Sequence, residues 1–393
     1  MKRIFLAIAF AAVSTAASAA DVGAGRYQSV LGDCEGCHGK NLAGGVELMT
    51  PFGKLVAPNI TQDKDTGIGN YTAEDFRRAM KEGIAPGGKR LYPAMPYPAY
   101  ARMSDADIAA LWAYFRTIKP VRHVVDVNQL RFPFNLRFMM RGWNMLFFRP
   151  APYVPDASKS AAWNRGAYIA TGPAHCGTCH TPKSFFGADT GLPLSGALLQ
   201  GWFAPDLTGD RDAGLGGWSA RDVVEYLKTG RNGHSIASGP MAEVVEHSTA
   251  NMKGADLQAV AVYLKDLPPS AGNGGGASGV EAQMKSGAGI YRMNCAACHS
   301  FNGRGDSVLF PPLAGNALVR QAGAQTLVRV VLAGSKAVAT PAAPTGPGMP
   351  SFAWKLNDEQ VANVLTYIRN NWGNRAPAVS ADEVAKIRAR HGS

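Results

Sequence analysis

Beyond its first twenty residues the sequence contains no run of eighteen apolar residues, so nothing in the remainder reads as a membrane-spanning helix. Charge is sparse too. Asp, Glu, Lys and Arg make up 18% of the chain against 46% hydrophobic residues, which excludes a disordered polyelectrolyte and leaves globular material. Cysteine is limited to six in 393 residues, and all six fall into three close pairs, so none is left over for a structural bridge. The length predicts about two to four domains.

The N-terminus is a separate matter. Lys2 and Arg3 precede an apolar stretch from Ile4 to Val13, and Ala17-Ser18-Ala19 offers the small residues of a cleavage site. This is the form of a secretory signal, residues 1–20, and that apolar stretch is too short to span a bilayer. Removing Lys2 and Arg3 takes the formal charge from +11 to +9. A basic balance suits nucleic acid, anionic lipid or an acidic protein. Export to the periplasm removes nucleic acid as a partner.

Export to an oxidising compartment would ordinarily suggest disulfides. The cysteines instead share one local form: Cys34-Glu35-Gly36-Cys37-His38, Cys176-Gly177-Thr178-Cys179-His180 and Cys295-Ala296-Ala297-Cys298-His299. C-x-x-C-H is the attachment signature of c-type haem. Two thiols at that spacing can each bond a vinyl group of one porphyrin, and the following His faces the iron. A thioredoxin-like pair needs no His after it, and a zinc site would want a second pair nearby. Three covalent haems are therefore expected, with His38, His180 and His299 as proximal ligands.

A sixth ligand must come from elsewhere, and a Met/His pair raises the potential and closes the iron to external molecules. Each motif is followed by a Pro/Gly-rich loop with one Met: Met95 in Tyr92–Pro96, Met241 after Pro240, and Met349 in Gly346–Pro350. The gaps from His to Met are 57, 61 and 50 residues (95 − 38, 241 − 180, 349 − 299). In the middle unit no Pro follows the Met, and His234 and His247 are rival ligands there. Met80, Met103, Met252 and Met293 read as core filler. His123, His175 and His391 read as surface or packing residues.

An internal duplication relates the first two motifs. Ala57-Pro58-Asn59-Ile60-Thr61-Gln62-Asp63 matches Ala204-Pro205-Asp206-Leu207-Thr208-Gly209-Asp210 at an offset of 147 (204 − 57), and Met95 matches Met241 at 146 (241 − 95). The Asp-rich steps that follow resemble calcium loops, but Ile68 stands where Gly is needed and Arg221 at the twelfth position of the second copy cannot coordinate a cation. Both read as turns. Each unit opens with a helical stretch around Tyr27, Tyr168 or Tyr291. Each closes on an amphipathic helix, Asp105–Thr117, Ala255–Asp266 or Asp358–Asn371, with Ser104/Asp107 and Asn357/Gln360 as capping-box starts.

The fold expected is all-α, three tandem cytochrome c domains each built around one covalently attached haem: 21–120, 161–268 and 285–376, followed by a polar tail, 377–393. Residues 269–284 form a Gly/Ser-rich linker. The other connection, 121–160, carries Phe132, Phe134, Phe138, Trp143, Phe147 and Phe148 with four Arg and no acid between Asp126 and Asp156. It either packs between the first two domains or serves as a docking or membrane-surface element.

With the three motifs, the duplicated A-P-[ND]-[IL]-T-x-D segment, the Met loops and this aromatic linker, the chain resembles the three-haem cytochrome c subunit of bacterial membrane-bound alcohol, gluconate, sorbitol and fructose dehydrogenases. The resemblance implies an electron-transfer component, not an enzyme by itself, beside a flavin- or quinone-dependent catalytic subunit. Electrons would pass to ubiquinone or an oxidase at the outer face of the cytoplasmic membrane, with peripheral association. In that family the Cys pairs Cys34/Cys37, Cys176/Cys179 and Cys295/Cys298 hold the porphyrins, and Met95, Met241 and Met349 are distal ligands. A free-standing or oxidase-linked carrier is the alternative. A multi-haem peroxidase would need an open sixth position.

Overall fold

The computed structural model describes residues 19–270, 275–306 and 309–391. The expected export signal, residues 1–20, lies outside these, apart from Ala19 and Ala20, which begin the first helix. Three helix pairs organise the rest. Ala19–Leu31 crosses Asp105–Phe115, Ala161–Thr171 crosses Gly254–Lys265, and Glu281–Asn294 crosses Asp358–Arg369. Side-chain caps start several of these helices. The Ser104 hydroxyl accepts from Asp107 N, that of Ser160 from Trp163 N, and Asn357 with Gln360 closes a full capping box.

Each crossing is made at a glycine. A β-carbon at Gly25 would lie 1.9 Å from the Ala110 carbonyl oxygen, at Gly166 2.0 Å from that of Ala259, and at Gly287 2.2 Å from that of Asn363. In each pair the next contact is the β-carbon of a tyrosine one turn on, Tyr114, Tyr263 or Tyr367. Only a residue with no side chain lets the two backbones meet so closely. Around each crossing lies a separate apolar core: Phe76, Met103, Leu111 and Phe115 in the first, Ile169, Leu257 and Leu264 in the second, Tyr291, Val361 and Leu365 in the third.

The molecule is helical but not purely so. Glu47–Thr50 and Gly53–Val56 form an antiparallel hairpin, and Asn128–Leu130 adds a third strand with Leu130 opposite Gly53. Shorter ladders pair Ala197–Leu199 with Trp202–Ala204 and Ser335–Lys336 with Gly348–Met349. The linker 121–160 is thus tied to the first unit by main chain. Tyr92 Oη donates to Phe134 O at 2.9 Å, Tyr97 Oη to Asn144 Oδ1 at 2.6 Å, and Phe148 is buried against Tyr97.

The first two units meet through a reciprocal exchange. Tyr27 Oη donates to Asp256 Oδ2 at 2.7 Å and accepts from Lys253 N at 3.0 Å, while Tyr168 Oη donates to Asp107 Oδ2 and accepts from Ser104 N at 3.1 Å. Each tyrosine sits on the first helix of one unit and meets the start of the last helix of the other. His175 joins this seam, its Nε2 at 3.2 Å from Gly32 O. The third unit touches the second through Arg320–Asp212 at 3.0 Å and through Arg329 over the Trp202 ring.

Two readings need correction. The tail is not polar throughout, since Ala381–His391 is a helix whose Val384 and Ile387 are buried in the third core, with Val379 before it. Met80, Met103 and Met252 are buried, but Met293 is 83% exposed, because its side of Glu281–Asn294 faces away from Asp358–Arg369.

Candidate haem-binding sites

None of the six cysteines is joined in a disulfide. Each pair is carried on a single helical turn that follows the first helix of its unit: Cys34–His38, Gly177–His180 with Cys176 as its cap, and Ala296–His299 with Cys295 as its cap. One turn presents both thiols and the histidine on a short, stiff piece of backbone, as attachment to one porphyrin requires. Burial pushes the Cys34 and Cys176 thiols up to about 12, and those of Cys37 and Cys295 up to about 11. That is the reverse of a redox-active pair, whose nucleophilic thiol is held low.

The three histidines share one arrangement. His38 Nδ1 lies 2.8 Å from Pro58 O, His180 Nδ1 2.7 Å from Pro205 O, and His299 Nδ1 3.0 Å from Pro311 O. A carbonyl can only accept, so Nδ1 carries the proton and Nε2 keeps its lone pair. Burial also lowers all three imidazoles below their ordinary value, against the smaller opposing effect of the carbonyl, which keeps them neutral. A neutral imidazole with its tautomer fixed by the other nitrogen is the form that binds a metal. These residues fit a c-type haem.

The proline carbonyls give the duplicated segment a purpose that its sequence did not reveal. Ala57-Pro58-Asn59 and Ala204-Pro205-Asp206 each deliver a carbonyl to the proximal His, and the following side chain locks the loop. Asn59 Oδ1 accepts from Thr61 N at 2.9 Å, and Asp206 Oδ1 from Thr208 N at 2.6 Å. The third unit does the same with Pro311, only twelve residues after its His. A Pro followed two residues later by Ile or Leu was the available signal in all three. The Asp-rich steps beyond are turns: Asp63 Oδ1 accepts from Asp65 N and Thr66 N, and Asp210 Oδ1 from Asp212 N and Ala213 N.

The methionines are placed less uniformly. Met95 packs against the core that also holds Cys34, and Met349 against the core that holds Cys295. Met349 is fixed by its ladder with Ser335, and Met95 by a turn closed from Met95 N to Tyr92 O at 3.1 Å. Met241 is the second residue of the helix Pro240–His247 and packs with Tyr226 and Val338 in a small cluster apart from the one that holds Cys176. Of the rival ligands, His234 is stacked on Trp218 and lies 3.4 Å from Asp222, and His247 ends the same helix that Met241 begins.

Repeated C-x-x-C-H turns with carbonyl-oriented histidines define a c-type cytochrome. Residues 24–119 and 284–372 match the Cytochrome c family. The chain is 40% identical to the cytochrome c subunit of the quinone-type alcohol dehydrogenase of Gluconobacter oxydans, over 93% of this chain and 81% of that one. It is 38% identical to the gluconate 2-dehydrogenase cytochrome c subunit of Pantoea cypripedii, over 99% and 95%. It is 36% identical to the fructose dehydrogenase cytochrome subunit of Gluconobacter japonicus, over 93% and 82%. The chain belongs to this family of dehydrogenase cytochrome c subunits. Its role is electron transfer through c-type haem, and not catalysis on a substrate.

Proposed function

We propose that the chain is organised as three tandem cytochrome c domains and carries electrons by way of three covalently attached haems. The donor is a catalytic dehydrogenase subunit, flavin- or quinone-dependent, that oxidises an alcohol, aldehyde or sugar. The acceptor is ubiquinone or a terminal oxidase, and the protein works after export at the outer face of the bacterial cytoplasmic membrane. The observation that carries this reading is the threefold recurrence of a histidine whose Nδ1 is engaged by a proline carbonyl, on the same turn as a pair of cysteines that form no disulfide.

When bound, a haem supplies a one-electron couple at its iron. The residues do the rest. Cys34 and Cys37, Cys176 and Cys179, and Cys295 and Cys298 would hold the porphyrins. His38, His180 and His299 offer Nε2, fixed in direction by Pro58, Pro205 and Pro311. Met95, Met241 and Met349 would each offer a thioether as a further iron ligand, which would raise the potential and close the iron to peroxide. The reading is supported at the first and third sites by Met and Cys sharing one core, and at the second by the duplication that relates Met241 to Met95.

The test is a redox titration of the protein purified from its native membrane with partners retained. Low-spin haems that become reduced on adding an alcohol or sugar are expected. Low-spin haems that no such substrate reduces would overturn the dehydrogenase partner and favour a free-standing carrier. A high-spin component would overturn at least one Met assignment.

A further inference from the structure

The methionine of the second site is held from outside its own unit. Met95 and Met349 each pack on the core that holds a cysteine of their own site, and each is followed by a proline, Pro96 or Pro350. Met241 has neither support. It lies in the first turn of Pro240–His247, where a helix is least restrained by its own hydrogen bonds, and it packs on a small cluster of Ala237, Val245 and Ala250.

The third unit completes that cluster. Val338 packs on the same residues, and a β-carbon at Gly230 would stand 2.4 Å from Val338 Cγ1. Gly230 ends the helix Ala220–Thr229 with φ of 76°, and its carbonyl accepts from Ala237 N at 2.7 Å. Val338 therefore presses on the base of the loop that leads to Met241. Further along that loop Arg231 donates to Thr345 O at 3.0 Å, and Asn316 Nδ2 donates to His234 O at 2.9 Å. Val338, Thr345 and Asn316 all belong to the third unit.

A second grip acts just before the helix. Gly239, at φ of 55°, lies flat against Trp202, so that a β-carbon there would stand 2.6 Å from the indole ring. Arg329 of the third unit lays its guanidinium 4.4 Å from the centre of that ring and donates to Gln200 O at 3.0 Å. Thr326, on the same helix Gln325–Ala333, accepts from Phe203 N at 2.6 Å. The helix Pro240–His247 meanwhile rests against the turn Cys34–His38 of the first unit. The segment that carries Met241 is thus held between both neighbours.

From these contacts we infer that Val338, with Arg329 acting through Trp202, positions Met241 as an iron ligand, so that seating of the third unit sets the ligation of the second haem. The inference deepens the Met ligation proposed above and rests on it. What Pro96 and Pro350 supply within the first and third units, the neighbouring unit supplies here. Residues that orient a ligand from outside are commonly worth about 10–100-fold in metal affinity. A Met ligand raises the potential, so the second haem would hold its high potential only with the third unit in place.

The test is an imidazole titration of the oxidised full-length protein with its haems, followed by the Met–iron charge-transfer band. Imidazole competes with methionine for the iron, so the concentration that displaces each Met reads how firmly it is held. In Val338→Ala, and separately in Arg329→Gln, one haem is expected to exchange its Met at about 10–100-fold lower imidazole than in the wild type, the others being unchanged. Asp212→Asn, which breaks the ion pair with Arg320 elsewhere in the same interface, is expected to titrate as the wild type. Met241→Ala identifies the site: it should remove one band, and adding Val338→Ala should leave the remaining bands as they were. A haem content equal to the wild type shows that each variant has folded. Wild-type titrations in both Val338→Ala and Arg329→Gln overturn the inference. An equal weakening in Asp212→Asn does so too, since the interface would then act as a whole. If Met241→Ala keeps every wild-type band, the ligand assignment itself fails and the inference falls with it.

Discussion

Gly287 lies so close to Asn363 that a β-carbon would stand 2.2 Å from the Asn363 carbonyl oxygen. Two residues on, in the same helix, a β-carbon at Gly289 would meet nothing within 4 Å. The pair makes an internal control. Gly287→Ala must push the helices apart and is expected to cost roughly 1–3 kcal/mol or more. Gly289→Ala should stabilise by up to about 1 kcal/mol, the ordinary helix preference of alanine over glycine. Denaturant unfolding of the two variants measures both, and equal effects would show that the crossing does not depend on Gly287.

Asn59 holds the loop that carries Pro58 O. Its Oδ1 accepts from Thr61 N and its Nδ2 donates to Val121 O at 2.7 Å, with the side chain buried. Asn59→Ala leaves these groups unpaired, at a cost of about 1–3 kcal/mol. It should also free the His38 imidazole to turn, which a resonance spectrum would register as a broadened or shifted signal from one haem only. A purely structural role would destabilise the protein and leave all the haem signals unchanged.

The seam between the first two units should be sensitive to acid. Burial alone would raise the Asp256 carboxyl, but Arg165, at 2.8 and 2.9 Å, and Tyr27 outweigh it and hold the carboxyl below its ordinary range. A depressed folded value means that the unfolded chain binds the proton more readily. Its contribution is therefore complete above the ordinary aspartate value of about 3.9 and is lost as the pH falls through the lower folded value. Asp256→Asn should flatten this part of the acid dependence, measured as stability against pH. A variant that keeps the wild-type slope would show that other carboxyls dominate.

Arg369 is fully buried in the third unit, and among the described residues no carboxylate pairs with it directly. Its guanidinium donates to Pro377 O, Val319 O, Gly323 O, Gln321 O and Ala322 O, and burial pushes its value down to about 10. One side chain thus ties the C-terminal segment to the loop before Gln325–Ala333. Arg369→Met is expected to cost roughly 2–4 kcal/mol by stranding those carbonyls. Arg369→Lys should recover little, since an ammonium has three donors and no planar fork. Recovery by Lys would mean that charge alone matters there.

The parts legible in the sequence are those whose chemistry is local. Covalent attachment forces two thiols and a histidine into five consecutive residues, so Cys34–His38, Cys176–His180 and Cys295–His299 announce themselves. The closing helices are legible because caps such as Ser104 and Asn357 are local as well. What stayed hidden depends on residues far apart. Tyr27 meets Asp256 across 229 positions, and Arg369 collects carbonyls from two segments, 319–323 and Pro377, that no pattern links. The tail hid its core face because only Val379, Val384 and Ile387 carry it among charged neighbours. Met293 looked like filler because helical periodicity does not say which side of a helix meets its partner.

Haem stoichiometry and ligation test the central claim most directly. Pyridine haemochrome and intact mass of the mature protein, read with the near-infrared spectrum of the oxidised form, should give three thioether-linked haems per chain, all low-spin and all with a Met–iron charge-transfer band. Fewer than three haems, or a high-spin fraction that binds external ligands, would contradict the account, and the second site would then be the place to look, since Met241 and Cys176 lie in different clusters.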